Sequence, residues 1–177
     1  MKVRFLTDTE YSYKETSMKY EITKRFKFEA GHRVWKQNLT SGKGAKLMDK
    51  EIPPNPCINI HGHSYKVEVT VGSDTLNEQE MVIDFYHIKS ALKDLIDNQL
   101  DHSFIIDKND PLFPKFKENF GFLKLTVVDF CPTAEALAKF IYDFLEKKLE
   151  EAELLDEIKV VSVTIWETET GKAVYKG

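Results

Sequence analysis

Two cysteines, Cys57 and Cys131, are too few in 177 residues for a disulfide framework. They lie far apart in unlike contexts, which fits a reducing compartment where a lone cysteine can be a functional thiol. Long apolar runs are lacking as well. No stretch approaches the roughly 20 residues a bilayer span needs, and the opening MKVRFLTDTEYSYKE has no signal-peptide core. Excess basic charge is also missing: 25 Lys and Arg stand against 29 Asp and Glu, a net charge of −4. That gives no field for a nucleic acid, and an anionic small substrate would need a local Lys and Arg cluster or help from another subunit. Neither internal repeats nor low-complexity segments occur. The expectation is a soluble, cytoplasmic protein without nucleic-acid or membrane partners. Its 42% hydrophobic and 31% charged content is ordinary for a globular chain, and its length suits one domain.

Residues 1–18 show no period and read as an N-terminal extension, with Met18 an alternative start; the single domain is expected over 19–177. From Tyr20 the pattern has period two, with Ile22, Phe26, Phe28 and Ala30 on one face, as in a half-buried antiparallel strand. Residues 33–56 carry two glycines and three prolines and read as a long loop insert. A second strand is expected over 61–72, with Tyr65, Val67, Val69 and Val71 on one face. Phe85, Ile88, Leu92, Leu95 and Ile96 recur at helical spacing over 85–98, behind a candidate N-cap at Asp84. Residues 103–121 read as loop and 122–128 as extended. Pro132-Thr133 opens a second helix whose stripe is Leu137, Phe140, Ile141, Phe144, Leu145 and Leu149. Its charged tail, EKKLEEAELLDE, reads as a solvated helix end. Strands over 157–167 and 172–176 complete an α+β order with antiparallel pairing.

The stretch CINIHGHSYKVEVTV carries the chemistry. On a strand, His61 and His63 point to the same side, about 7 Å apart along the backbone, so both rings can reach one cation. They share parity with Tyr65 and Val67, and His32 shares parity with Phe28 and Ala30. Three imidazoles thus emerge at the ends of apolar faces, where an unpartnered ring is costly to bury. Each can be a hydrogen-bonded core histidine; together they match the three-ligand, open-position arrangement of catalytic zinc.

Cys57 lies about 13 Å upstream of His61 if the chain is extended, so ligation would require a turn. Spacing leaves three readings open: a base or nucleophile, the fourth ligand of a closed structural zinc, or an inert thiol. Asp101-His102 can form a proton relay or be a surface pair. Glu167 continues the parity of Val161, Val163 and Ile165. It can accept hydrogen bonds from a flat, NH-rich ligand or simply be solvated at the strand end. His87 has no assigned role, and Cys131 reads as a small core residue.

Six segments together resemble the 6-pyruvoyltetrahydropterin synthase family, and more closely its bacterial-type branch, the 6-carboxytetrahydropterin synthases of queuosine biosynthesis. They are Phe28-Glu29-Ala30-Gly31-His32, Cys57-x-x-x-His61-Gly62-His63-Ser64-Tyr65, Met81-Val82-Ile83-Asp84-Phe85, Leu100-Asp101-His102, Pro132-Thr133-Ala134-Glu135 and Trp166-Glu167-Thr168. The resemblance implies the tunnelling fold: a four-stranded antiparallel sheet with two helices on one face, closing into a β-barrel of three subunits. Two such rings would stack as a homo-hexamer with sites at subunit interfaces. It implies Zn2+ held by His32, His61 and His63, Cys57 as the proton-abstracting thiolate, and Asp101 with His102 as the relay. Glu167 and Thr133 would anchor the pterin of 7,8-dihydroneopterin triphosphate. The three-residue gap between Cys57 and His61 resembles the carboxy-forming branch, which releases acetaldehyde and triphosphate; the pyruvoyl-forming enzymes tend to have a longer gap. The 33–56 insert and the extension exceed the compact bacterial members. Lys36, Lys43 and Lys46 of the insert are either solvated or candidates for contact with triphosphate.

Overall fold

The computed structural model describes residues 18–38, 41–46 and 55–177. The extension over 1–18 therefore lies, Met18 apart, outside the described residues, as do 39–40 and 47–54 of the insert. Strand β1 (Tyr20–His32) pairs antiparallel with β2 (His61–Ser73) along its whole length, from Tyr20 opposite Ser73 to His32 opposite His61. Alternation of aromatic and β-branched residues with charged ones drives this pairing. Burial deepens toward the His32 end, where Phe28, Ala30 and His32 are all buried. Strand β5 (Lys159–Trp166) pairs antiparallel with β2, and β6 (Lys172–Tyr175) pairs antiparallel with β5.

These four strands pair antiparallel, but the expectation of a four-stranded antiparallel sheet is corrected: the sheet has six strands and is mixed. β3 (Ser103–Asp107) and β4 (Leu125–Val128) add in parallel on the other side of β1, giving the order β4-β3-β1-β2-β5-β6. The reading of 103–121 as loop is thus corrected: it holds β3 and the helix α3 (Phe113–Phe120). The run Phe104-Ile105-Ile106 does not alternate because Ile105 and Ile106 are both fully buried. Such short apolar runs have no period to betray them.

Inside the insert, the described residues hold one helical turn, α1 (Gly42–Ala45), and a 3-10 turn over Pro56–Ile58. Helix α2 (Phe85–Lys93) starts at Asp84, whose side chain accepts from the Tyr86 N–H at 2.7 Å. It continues as a π-helical turn to Leu100, two residues beyond the expected end. Ile88, Leu92, Leu95, Ile96 and Leu100 are buried, whereas Phe85, placed on that stripe by spacing, is 47% exposed. Helix α4 (Ala134–Glu151) is capped by Thr133, which accepts from the Ala136 N–H at 3.3 Å. The buried stripes of α2 and α4 join Phe28, Tyr65, Val67, Val69, Val163 and Ile165 in one core, so both helices cover the same sheet face. Burying each large aliphatic there contributes about 1.5–3 kcal/mol.

A bulge alters the phase of β5. Thr70 pairs with Ser162 but Val71 with Val160, so Val161 is the extra residue; it is half-buried while Val160 is buried. Beyond the bulge the parity Val163, Ile165, Glu167 holds, and it delivers Glu167 to the histidine end of the sheet.

Candidate metal centre and adjoining cleft

His32, His61 and His63 sit at the paired ends of β1 and β2, because Ala30 stands opposite His63 and His32 opposite His61. One ligand atom from each lies within 4.8 Å of the others, and among the described residues this is the group able to hold a metal ion. His32 Nδ1 is 2.7 Å from the Pro132 carbonyl oxygen and His61 Nδ1 is 2.8 Å from that of Asn59. A carbonyl only accepts, so both Nδ1 atoms carry a proton, and in the neutral form of each ring Nε2 presents a lone pair. Those two Nε2 atoms are 3.1 Å apart. His63 Nε2 is buried without a hydrogen-bond partner.

Burial holds the His32 pKa down at about 4, reinforced by the neighbouring His61 and His63 rings and opposed by the Pro132 bond. Burial also lowers that of His63 against the opposing pull of Glu167. Neutral rings with outward Nδ1 donors and convergent lone pairs are what a divalent cation requires. The donor set fits zinc with an open position. Tyr65 closes the floor: its ring stacks on Phe28 at 4.7 Å and presents its edge to His32 and His63.

Glu167 Oε1 lies 3.6 Å from His32 Nε2 and 3.9 Å from His63 Nε2. It also lines a cleft of about 420 Å³ with Cys57, Thr133, Cys131, Glu135 and Lys36. Cys57 is half-buried and stands outside the group of metal donors. Cys131, read from sequence as a core residue, is corrected here: it is half-buried and faces the same cleft. Of the insert lysines Lys36 reaches the cleft, while Lys43 and Lys46 are exposed outside its lining.

Asp101 and His102 are hydrogen-bonded to each other, Oδ2 to Nδ1 at 2.8 Å. The Glu29 main-chain N–H donates to Asp101 Oδ1 at 2.8 Å and is the main reason the carboxyl titrates below its usual range, with His102 adding to it. His102 has a φ of 53°, a conformation non-glycine residues hold only when the surroundings impose it. The His102 N–H to Glu29 carbonyl bond at 2.6 Å does so. The His102 side chain is 78% exposed and lines a shallow depression of about 370 Å³ with His63, Gly62 and Glu29. His102 and Cys57 therefore line different recesses of one chain, the first bordered by His63 and the second by Glu167. Main-chain carbonyls at Pro132 and Asn59 escape sequence reading because any residue type can supply them.

The sequence matches the family described as 6-pyruvoyl tetrahydropterin synthase over residues 21–177. The chain belongs to that family. It is 66% identical over 162 residues to the 6-carboxy-5,6,7,8-tetrahydropterin synthase of Aquifex aeolicus, covering 90% of this chain and 99% of the relative. Identity with human 6-pyruvoyl tetrahydrobiopterin synthase is 30% over 157 residues, 89% of this chain and 91% of the relative. A crystal structure of an uncharacterized protein from Wolinella succinogenes superposes with a TM-score of 0.73 at 31% identity, covering 89% of this chain and 98% of that one. As a family member the chain is a tetrahydropterin synthase of α+β fold with a mixed sheet. None of its described helices is long and apolar enough to cross a membrane.

Proposed function

We propose that the chain is a zinc-dependent lyase that, with one water, converts 7,8-dihydroneopterin triphosphate to 6-carboxytetrahydropterin, with release of acetaldehyde and triphosphate, in queuosine biosynthesis. The observation that carries this reading is the convergence of three imidazoles beside a cleft holding Cys57, Thr133 and Glu167. The 66% identity to a protein named for the carboxy product supports the choice of branch.

His32, His61 and His63 would hold zinc, which when bound supplies a Lewis acid able to polarise side-chain oxygens of the substrate. The remaining roles fall to the chain. Glu167 accepts hydrogen bonds from the amino and ring N–H groups of the pterin, assisted by Thr133. Cys57, as thiolate, takes the proton from the substrate side-chain carbon. His102, oriented by Asp101, returns a proton elsewhere on the substrate. Lys36, in the lining of the same cleft, would face the anionic end. Because Cys57 and His102 line separate recesses, a complete site draws on two subunits of a homo-hexamer built as a dimer of trimers.

Incubation with 7,8-dihydroneopterin triphosphate, with and without chelator, should yield acetaldehyde only with metal present. A pyruvoyl product without acetaldehyde would move the chain to the branch of its human relative. A closed structural zinc with Cys57 as fourth ligand is the different-class reading. It is disfavoured by the position of Cys57 outside the donor group.

A further inference from the structure

Two carboxylates away from the histidines are buried almost completely: Asp107 is 0% exposed and Asp110 is 2% exposed. Burying a carboxylate costs several kcal/mol unless it is paired and hydrogen-bonded, and a solvated turn would need neither. Asp107 grips the segment that leaves β1, and Asp110 faces it. Trp35 Nε1 donates to Asp107 Oδ2 at 2.9 Å. Arg33 Nε lies 3.4 Å from Asp110 Oδ2, an ion pair in which neither atom makes a hydrogen bond. The rest of each carboxylate is held locally. Asp107 Oδ1 accepts from the main-chain and side-chain N–H groups of Asn109, and Asp110 Oδ1 from the Leu112 N–H.

The gripped segment leads straight to the thiol. Between Arg33 and Trp35, the Val34 N–H donates to the Cys57 carbonyl oxygen at 2.8 Å. Asn55 closes the other side: its side chain accepts from the Cys57 N–H at 3.1 Å and donates to the Gln37 carbonyl at 3.1 Å. Cys57 sits in a three-residue 3-10 turn without a buried residue of its own. Its position therefore depends on these hydrogen bonds.

We propose that Trp35 and Asp107 are positioning residues: their hydrogen bond, transmitted through Val34 to the Cys57 backbone, fixes the thiol in the wall of the cleft that Glu167 lines. The proposal rests on Cys57 acting as the base. Displacing a reacting group by about 1 Å can cost on the order of 100-fold in rate. Loss of this one bond, with Arg33 still held by Asp110, should cost about tenfold.

Trp35→Phe deletes the indole N–H and keeps an aromatic ring on a half-buried residue. In a Cys131→Ser background, iodoacetamide with mass spectrometry reads the alkylation rate of Cys57 alone. The freed turn should be alkylated at least about fivefold faster, while kcat for 7,8-dihydroneopterin triphosphate falls about tenfold. KM and zinc content should stay within about twofold. Asp107→Ala, which also removes the two bonds from Asn109, should act in the same direction, and the double variant should be no worse than Asp107→Ala alone, since both cut the Trp35–Asp107 bond. An unchanged alkylation rate in Trp35→Phe overturns the proposal. So does a fall in kcat matched by an equal fall in zinc content, which marks a general structural defect. Should Asp107→Ala fail to fold, the alkylation rate of Trp35→Phe decides alone. Failure of the unmodified protein to convert the pterin would sink the catalytic reading, and the alkylation result would still decide whether the clamp holds Cys57.

Discussion

His32 Nε2 and His61 Nε2 face each other at 3.1 Å while each ring spends its Nδ1 proton on a backbone carbonyl. Two lone pairs at that separation repel unless a cation or a shared proton lies between them. The buried, partnerless Nε2 of His63 completes the same deficit. A divalent cation among the three rings would relieve this deficit.

His61→Ala should therefore lose most of its zinc, measured by plasma mass spectrometry against protein concentration. Chelation of the unaltered protein should leave far-UV circular dichroism intact, because a broad core rather than the metal holds the sheet. Unfolding on chelation, or a zinc–sulfur distance of about 2.3 Å in X-ray absorption, would instead indicate a closed structural site.

Acid should destabilise the metal-free protein through His32. The unfolded chain takes up this proton below about pH 6.5, the folded chain only below about 4. Across that window the unfolded state binds more protons, so stability falls as pH falls and is restored as pH rises. The full difference is about 3 kcal/mol, with His63 pulling the same way. Urea midpoints of metal-free protein between pH 7 and 4 should fall more steeply than those of His32→Gln. Parallel curves would show that His32 is not the group responsible.

Cys57→Ala should reduce kcat by roughly 10²–10⁴-fold, the usual contribution of a positioned proton acceptor. Zinc content and affinity for a non-reacting pterin should be retained, since the thiol is not among the metal donors. Near-normal turnover in this variant would remove Cys57 from the mechanism.

Glu167→Gln keeps the shape of the side chain but loses the charge that strengthens its hydrogen bonds. Such bonds contribute about 1.5–3 kcal/mol, so pterin affinity should fall roughly 10–100-fold in fluorescence titration. Unaltered affinity would leave Glu167 as a neighbour of the histidines only.

Period two along the chain is enough to mark the histidine site. Strand phase is a local property, and each of His32, His61 and His63 continues an apolar face whose next members are buried. The cap at Asp84 is equally plain, because it acts within two residues of its own position. Elements without a local signal are not legible in this way. β3 carries no alternation because Ile105 and Ile106 are both buried, and the bulge at Val161 is visible only against its partner strand.

Other decisions depend on the packing of distant segments. Spacing leaves Cys57 undecided among ligand, base and inert thiol; it lies outside the donor group because the turn over Pro56–Ile58 is tied to Val34 and Asn55. Cys131 faces the cleft rather than the core, next to Pro132, whose carbonyl holds His32. Local periodicity places the three histidines on one side of two paired strands. Long-range contacts alone choose the backbone oxygens that fix their tautomers, the carboxylate that meets them and the wall that carries the thiol, since no repeat along the chain encodes which remote atoms will touch.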